Sequence, residues 1–130
     1  MSDLRNSVSA AASGMKSQAA RLRHVSENIA NVDTPGYRRK LVSFNEIMEG
    51  GHATGMVETG KVRLDRSALP SIYDPSHPMA NEQGYYDGSN VDLVVEIADA
   101  REAQRSYEAN LKMFDQAKQM SKGLLELLRR

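Results

Sequence analysis

Apolar residues recur at alternating steps of four and three positions from Asn90 to Arg130. This spacing places them on one face of an α-helix and is typical of the a and d positions of a heptad repeat. The segment contains no proline, so it predicts one helix of about 57 Å at 1.5 Å per residue, long enough to pack along a second long helix. The predicted contact positions are Leu93, Ile97, Ala100, Gln104, Tyr107, Leu111, Phe114, Lys118, Ser121, Leu125 and Leu128.

Local signals support the bounds and the specificity of this C-terminal helix. Ser89 or Asn90 is expected to cap its first turn. The polar residues Gln104, Lys118 and Ser121 interrupt the apolar row, and polar residues at such positions restrict register and partner at a cost in stability.

A second series with the same spacing predicts an N-terminal helix from Asp3 to Asn31. Gly14 lies within it and is expected to mark close packing, since glycine otherwise weakens a helix. The series consists of Leu4, Val8, Ala11, Met15, Gln18, Leu22, Val25 and Ile29. The two matching series predict that the terminal helices pack together as an antiparallel, coiled-coil-like pair.

The segment after the N-terminal helix predicts a fixed turn, which we call the elbow: Asn28, Asn31, Thr34, Pro35, Gly36 and Tyr37. Asn31 is expected in the left-handed conformation that ends many helices, and Pro35-Gly36 suits the centre of a type II turn. Tyr37 is expected to bury its ring and keep its hydroxyl in water. The basic run from Arg38 to Lys40 is expected to be solvated.

The middle of the chain, residues 41–89, lacks helical periodicity and contains three of the four prolines. Short strands are predicted at Leu41–Phe44 and Val62–Leu64, with a flexible connection at Gly50–Gly55 and a rigid loop at Asp74–Pro78. Tyr85 and Tyr86 are expected to anchor this segment against the helices. The predicted fold is therefore mainly α: residues 1–40 and 90–130 form one helical domain, and residues 41–89 form an irregular segment with short β-strands.

Composition limits what such a chain can do. Only 5% of the residues are aromatic, which predicts a thin core without a large enclosed active site. The 17 basic and 17 acidic residues balance, although residues 1–40 hold seven basic and three acidic residues and the remainder ten and fourteen. No cysteine is present, which excludes disulfides and thiol catalysis. The first thirty residues carry charges without an apolar core, so a cleaved secretory signal is not expected.

No arrangement of residues predicts catalysis, a metal site, a cofactor or a small-molecule substrate. His24, His52 and His77 lack metal-ligand spacing, and the sequence neighbours Asp74, Ser76 and His77 do not make a hydrolytic triad. The carboxylate pairs Glu46 with Glu49 and Glu82 with Asp87 are typical of solvated surfaces. The isolated basic run at the elbow lacks the aromatic platform of nucleic-acid binding proteins, so no nucleic acid is expected as a partner.

Three stretches of the chain resemble the flagellar axial proteins of rod and hook. They are Ser13-Gly14-Met15 with Gln18 and Arg21-Leu22, the stretch from Glu27 to Tyr37 that contains the elbow, and Asn90-Val91 with Glu96, Ala103, Arg105, Tyr107, Ala109 and Asn110. The central run from Tyr73 to Pro78, followed by Gly84-Tyr85, is similar to the short middle segment of proximal-rod members. Ile97, Ala100 and Thr34-Pro35 depart from the common pattern and leave open which of two proximal-rod paralogues the chain resembles.

This resemblance implies a non-enzymatic subunit of the periplasmic rod of the flagellar basal body, exported uncleaved by the flagellar type III apparatus. It implies self-association in a helical assembly, with other rod subunits and the rod base at the membrane ring as partners. The expected assembly interface is Leu4, Val8, Met15, Leu22, Val25, Ile29, Leu93, Ile97, Tyr107, Leu111, Phe114, Leu125 and Leu128. A cytosolic coiled-coil adaptor or chaperone is the alternative that the helical pattern alone leaves open.

Overall fold

The computed structural model describes residues 2–129, in which two long helices lie side by side. Helix α1 spans Ser2–Ala30 and helix α2 spans Leu93–Leu128. They run antiparallel, since the α-carbon of Gly14 lies beside the Asn110 side chain while Asn28 bonds Glu96 near the other end. The predicted fold class is confirmed: two long terminal helices pack together and a short segment containing β-strands connects them.

The connecting segment forms three small antiparallel sheets of two strands each. The pairs are β1 (Lys40–Leu41) with β4 (Arg63–Leu64), β2 (Phe44–Glu49) with β3 (His52–Thr59), and β5 (Ser71–Tyr73) with β6 (Tyr85–Asp87). The predicted strands at Leu41–Phe44 and Val62–Leu64 thus form in part, as β1 and β4 with the start of β2.

The β2–β3 hairpin corrects the prediction of a flexible connection at Gly50–Gly55. Gly50 and Gly51 have φ angles of 57° and 79°, and two consecutive residues with positive φ make the type I′ turn that matches the twist of a hairpin. Strand β3 then packs on α1, where the backbone N–H of Val57 donates to Ser13 Oγ at 3.1 Å. The Gly50-Gly51 turn and packing on α1 together order a segment whose composition is typical of loops.

The aromatic pair of the middle segment also behaves differently from the prediction. The Tyr85 ring contacts Tyr73 with centroids 5.1 Å apart, and the Tyr86 ring stacks on His77 at 3.9 Å. These ring contacts hold the β5–β6 hairpin and its proline-rich loop together, rather than anchoring the segment against the helices.

The core between the helices is thin and partly polar. Among the described residues, the buried apolar ones are Ala11, Val25, Ala103 and Ala117, and the buried polar ones are Ser17, Asn28, Ser89 and Glu96. Because most of these side chains are small, the helix backbones approach closely, and a Cβ added to Gly14 would come within 2.7 Å of Asn110 Nδ2.

The face that α2 turns toward α1 is only half of the predicted one. One row is as predicted, with Ala100, Tyr107, Phe114 and Ser121 at least partly buried. The other row consists of Glu96, Ala103, Asn110 and Ala117, whereas the predicted Ile97, Gln104, Leu111 and Lys118 are exposed. The row with Ala103 and Ala117 faces α1 because its small side chains permit close approach and its polar side chains find partners there. The bulkier apolar side chains remain on the surface.

The start of α2 differs from the prediction by two or three residues. Asp92 is the N-cap, with its side chain accepting from the Val94 N–H at 3.0 Å. Asn90 instead links two segments, since its Oδ1 accepts from the Arg39 N–H at 2.7 Å and its Nδ2 donates to the Asp65 carbonyl at 2.9 Å. Within residues 2–129, neither helix has an apolar stretch long enough to cross a membrane.

Candidate functional site

The elbow contains the predicted type II turn. The Tyr37 N–H donates to the Thr34 carbonyl at 3.2 Å, and Gly36 has φ = 74° at the third position. Asn31 corrects the prediction, because positive φ occurs only at glycines among the described residues. Its Nδ2 instead donates to the Glu27 carbonyl at 2.8 Å, which satisfies a backbone acceptor in the last turn of α1.

The Tyr37 hydroxyl does not remain in water as predicted; it donates to Asn28 Oδ1 at 2.9 Å. The same Oδ1 accepts from the Lys40 N–H at 2.8 Å, while Asn28 Nδ2 donates to the Lys40 carbonyl at 3.1 Å and to Glu96 Oε2 at 3.3 Å. Burial raises the pKa of the Tyr37 hydroxyl, so it remains a hydrogen-bond donor at neutral pH. Asn28 therefore fixes the elbow to both helices.

Glu96 is fully buried at the base of α2 and is paired with Arg39. Arg39 Nε lies 2.7 Å from Glu96 Oε1, and its two terminal nitrogens lie 3.4 Å from Asp65 Oδ2 and 3.6 Å from Asp99 Oδ2. One guanidinium thus joins three carboxylates from α2 and the loop after β4. We call Asn28, Arg39, Asp65, Glu96 and Asp99 the elbow network.

The basic run that was predicted to be solvated is therefore engaged. Lys40 pairs with Glu27, and this hydrogen bond lowers the pKa of the Glu27 carboxyl and raises the pKa of Lys40. Arg38 Nη1 donates to the carbonyls of Asp65 and Ser67 at 3.2 and 2.8 Å. Together the three side chains tie the strand after the elbow to α1, to α2 and to the loop after β4.

The network binds α1, the elbow, the loop after β4 and the start of α2 into one joint. One guanidinium faces three carboxylates, so the buried Glu96 charge is paired at 2.7 Å while Asp65 and Asp99 are held at longer distances, and the exposed fraction of the Arg39 side chain is only 18%. Such an arrangement can fix an angle between elements. Among residues 2–129, no group of three histidine or acidic side chains could hold a metal ion.

Asp74, Ser76 and His77 belong to a turn in the proline-rich loop. Asp74 Oδ1 accepts from the Ser76 N–H at 3.2 Å and from its hydroxyl, and His77 Nδ1 accepts from the Met79 N–H at 3.1 Å. These local bonds shape the proline-rich loop.

The structure places the predicted assembly residues in three environments. Val25 is buried. Seven are partly buried: Leu4, Val8, Met15, Leu22, Ile29, Tyr107 and Phe114. Five are exposed: Leu93, Ile97, Leu111, Leu125 and Leu128. Their part in contacts between subunits stays a prediction.

Sequence reasoning missed Arg39, Asp65 and Glu96 as a connected set. The available signal was weak: Glu96 falls on the same helical row as Ala103 and Asn110, so an acidic residue on an inward row required a basic partner. Nothing local indicated that the partner lies 57 residues away along the chain.

Two family profiles match the parts of the chain that build this joint. The profile described as "Flagella basal body rod protein" matches residues 8–38, which cover most of α1 and the elbow. The profile described as "Flagellar basal body rod FlgEFG protein C-terminal" matches residues 82–127, which cover β6 and α2.

Curated relatives extend the similarity over nearly the whole chain. The flagellar basal-body rod protein FlgC of Agrobacterium fabrum is 40% identical over 126 residues, covering 92% of this chain and 91% of the relative. FlgC of Bacillus subtilis is 35% identical, with 94% of this chain and 96% of the relative covered. FlgC of Salmonella typhimurium is 33% identical, with coverage of 90% and 92%.

Proposed function

Because the chain belongs to the family of flagellar basal-body rod proteins and is a structural subunit of the rod, we propose that it polymerises through the outer faces of its two terminal helices. The observation that carries this proposal is the similarity to FlgC proteins over at least nine tenths of the chain. It favours the FlgC assignment over the paralogue FlgB and over a cytosolic adaptor.

The exposed apolar surface of α2 supports this mode of assembly. Leu93, Ile97, Leu111, Leu125 and Leu128 are all at least 40% exposed, while the contact inside the subunit uses mainly small side chains. Burying such apolar surface is favourable by about 25 cal/mol per Å². A subunit that leaves its larger apolar side chains in water can gain by covering them with neighbours.

The test compares two substitutions on the outer surface of α2. Leu111→Asp places a charge on the proposed contact and is expected to abolish rod assembly and motility. Glu108→Ala, three residues away on the exposed surface, is expected to leave both unchanged. Normal swimming of cells carrying Leu111→Asp would contradict the proposed interface, and a circular-dichroism melt of the purified variant would check that the subunit still folds.

We propose in addition that the protein works in the periplasmic part of the basal body and is exported uncleaved by the flagellar type III apparatus. Passage through a narrow conduit requires a chain that unfolds easily, which the thin core between the helices favours. Its partners there would be other rod subunits and the rod base at the membrane ring.

Export is tested by deleting the type III gate and fractionating the cells. The full-length chain, with its N-terminal peptide detected by mass spectrometry, is expected in basal bodies of the parent strain and only in the cytosol of the deletion strain. A chain that is absent from basal bodies and cytosolic in both strains would instead support the adaptor alternative.

A further inference from the structure

A groove runs along the side of α1 that faces away from α2. Its floor is made of small and basic side chains at alternating steps of three and four: Ser9, Ala12, Lys16, Ala19 and Arg23. Ala12 and Lys16 are each about 160° around the helix from Gly14, which contacts α2, so they lie on nearly the opposite side. The β2–β3 hairpin forms one wall, through Ile47 and Met56. Small residues at helical spacing permit a second helix to approach closely.

A row on α2 that contains several long side chains complements the groove in side-chain size. Ala109, Met113, Gln116, Met120 and Leu127 follow steps of four, three, four and seven and contain no basic residue. Met113, Met120 and Leu127 are 59%, 57% and 65% exposed. Methionine is long, unbranched and adaptable, so it fills irregular spaces between small residues. Nothing in this row repels Lys16 or Arg23, and the Gln116 amide can accept a hydrogen bond from either.

One copy of the chain cannot bring these two surfaces together. The antiparallel packing that places Gly14 beside Asn110 puts Ala19 level with residue 105 of α2, about 12 Å along the helix from Met113 and about 22 Å from Met120. The groove also opens away from α2, so the row of the same chain cannot reach it.

We infer that the Met113–Met120 row of one copy seats in the α1–hairpin groove of a second copy. This inference rests on the proposed function and names the partner of its helical surfaces. Groove and row are different patches, so the contact is heterologous: each copy that offers its row keeps its groove free for the next, and the chain of contacts continues as an open helix or a ring.

Disulfide trapping tests the contact directly, since the chain has no cysteine of its own. Ala19→Cys is combined in one chain with either Met113→Cys or Met120→Cys, and basal bodies from cells with only that chain are oxidised. At least one combination is expected to shift the chain from monomer to a ladder of dimers, trimers and larger species on a non-reducing gel. A disulfide requires Cα atoms about 4.4–6.8 Å apart, so a bond within one copy is excluded.

The matched control is Ala19→Cys with Lys112→Cys, because Lys112 is exposed on the side of α2 that points away from α1. This chain, and each single-cysteine chain, is expected to give no ladder. If both test chains are present in basal bodies but give no ladder, or bond only to a different protein, the inference is wrong and the proposed function stands. If the natural chain is absent from basal bodies, both fail.

A second variant covers the case in which the cysteine chains do not assemble. Ala19→Leu fills the groove while keeping a good helix former, and a complete loss of swimming is expected with an unchanged thermal melt of the purified subunit. Ala68→Leu, the same change at an exposed loop position, is expected to swim normally. Normal swimming with Ala19→Leu would overturn the inference.

Discussion

At the scale of single residues, the decisive group is the buried Glu96 carboxylate. A charge without solvent contact is costly unless it is paired and hydrogen-bonded, and here Arg39 and Asn28 supply both conditions. Removing one partner of a buried pair costs more than the pair itself contributes, because it leaves the other charge uncompensated.

Arg39→Ala is therefore expected to destabilise the subunit by about 3–5 kcal/mol, measured by urea unfolding. Arg101→Ala, at an exposed position of α2, is expected to change the free energy of unfolding by less than about 0.5 kcal/mol. The double substitution Arg39→Met with Glu96→Leu should be more stable than Arg39→Ala, since it removes both charges together. Equal urea midpoints for Arg39→Ala and the natural chain would contradict the role given to this pair.

The Glu27–Lys40 pair predicts a response to acid. The pKa of Glu27 is lowered in the folded state by the hydrogen bond from Lys40. Stability from this pair is therefore present above the unfolded-state pKa of about 4.3 and is lost as the pH falls through the folded-state pKa.

The measurement compares urea midpoints at neutral pH and at about pH 3.5, below the unfolded-state pKa. Glu27→Gln is expected to make the urea midpoints at the two pH values more similar than they are in the natural chain. Glu46→Gln, at an exposed position of β2, is expected to leave the difference between the midpoints as it is in the natural chain. Asp65 retains part of the acid response in every variant, because hydrogen bonds from Ser67 lower its pKa. An undiminished difference in Glu27→Gln would contradict the assignment.

At the scale of elements, the helix pair depends on close approach at Gly14. Alanine has a better helix propensity than glycine by about 1 kcal/mol, but a Cβ at position 14 meets three atoms of the Asn110 side chain within 2.8 Å. Asn110 is held by its bond to the Ser106 carbonyl at 3.0 Å and cannot move without losing it.

Gly14→Ala is accordingly expected to destabilise the subunit in thermal unfolding, and to become stabilising when combined with Asn110→Ala. Gly123→Ala is the control, since nothing lies within 4 Å of a Cβ there and α2 should gain about 0.5–1 kcal/mol. A stabilising effect of Gly14→Ala alone would contradict this expectation, because it would show that the Asn110 side chain moves aside at little cost.

A substitution at Gly36 in the elbow tests backbone strain separately from packing, because no atom lies within 4 Å of a Cβ at this position. Its φ of 74° is strained for a β-branched residue, so Gly36→Val is expected to lower stability by about 1–2 kcal/mol and to impair motility. Gly36→Asn, which tolerates this conformation better, should have a smaller effect on both. Full motility of Gly36→Val would show that assembly does not depend on the angle of the elbow.

At the scale of the whole molecule, the isolated subunit combines long helices with a thin core. Only four apolar side chains of residues 2–129 are buried, so few contacts oppose local opening of the helices. In dilute solution, amide hydrogen exchange is expected to be fast toward the start of α1 and the end of α2 and slower around the elbow network. Assembly should protect both ends. Uniformly high protection in a proven monomer would contradict this expectation.

The sequence by itself determined the elements whose causes are local. The apolar spacing predicted both helices and their pairing, and the turn at Pro35-Gly36 followed from the steric preferences of two adjacent residues. Helix periodicity and φ preferences act within a few positions of the chain, so they can be recognised without knowing what the segment touches.

Only the tertiary structure decided which groups meet. The row of α2 that faces α1, the engagement of Arg39 and the contact of β3 with α1 all depend on residues far away in sequence. Asn28 and Glu96 are 68 positions apart, and the residues around each of them do not indicate that the two side chains meet. Close approach of small residues and compensation of buried charge are properties of a pair of surfaces, so they were fixed only when α1 and α2 packed together.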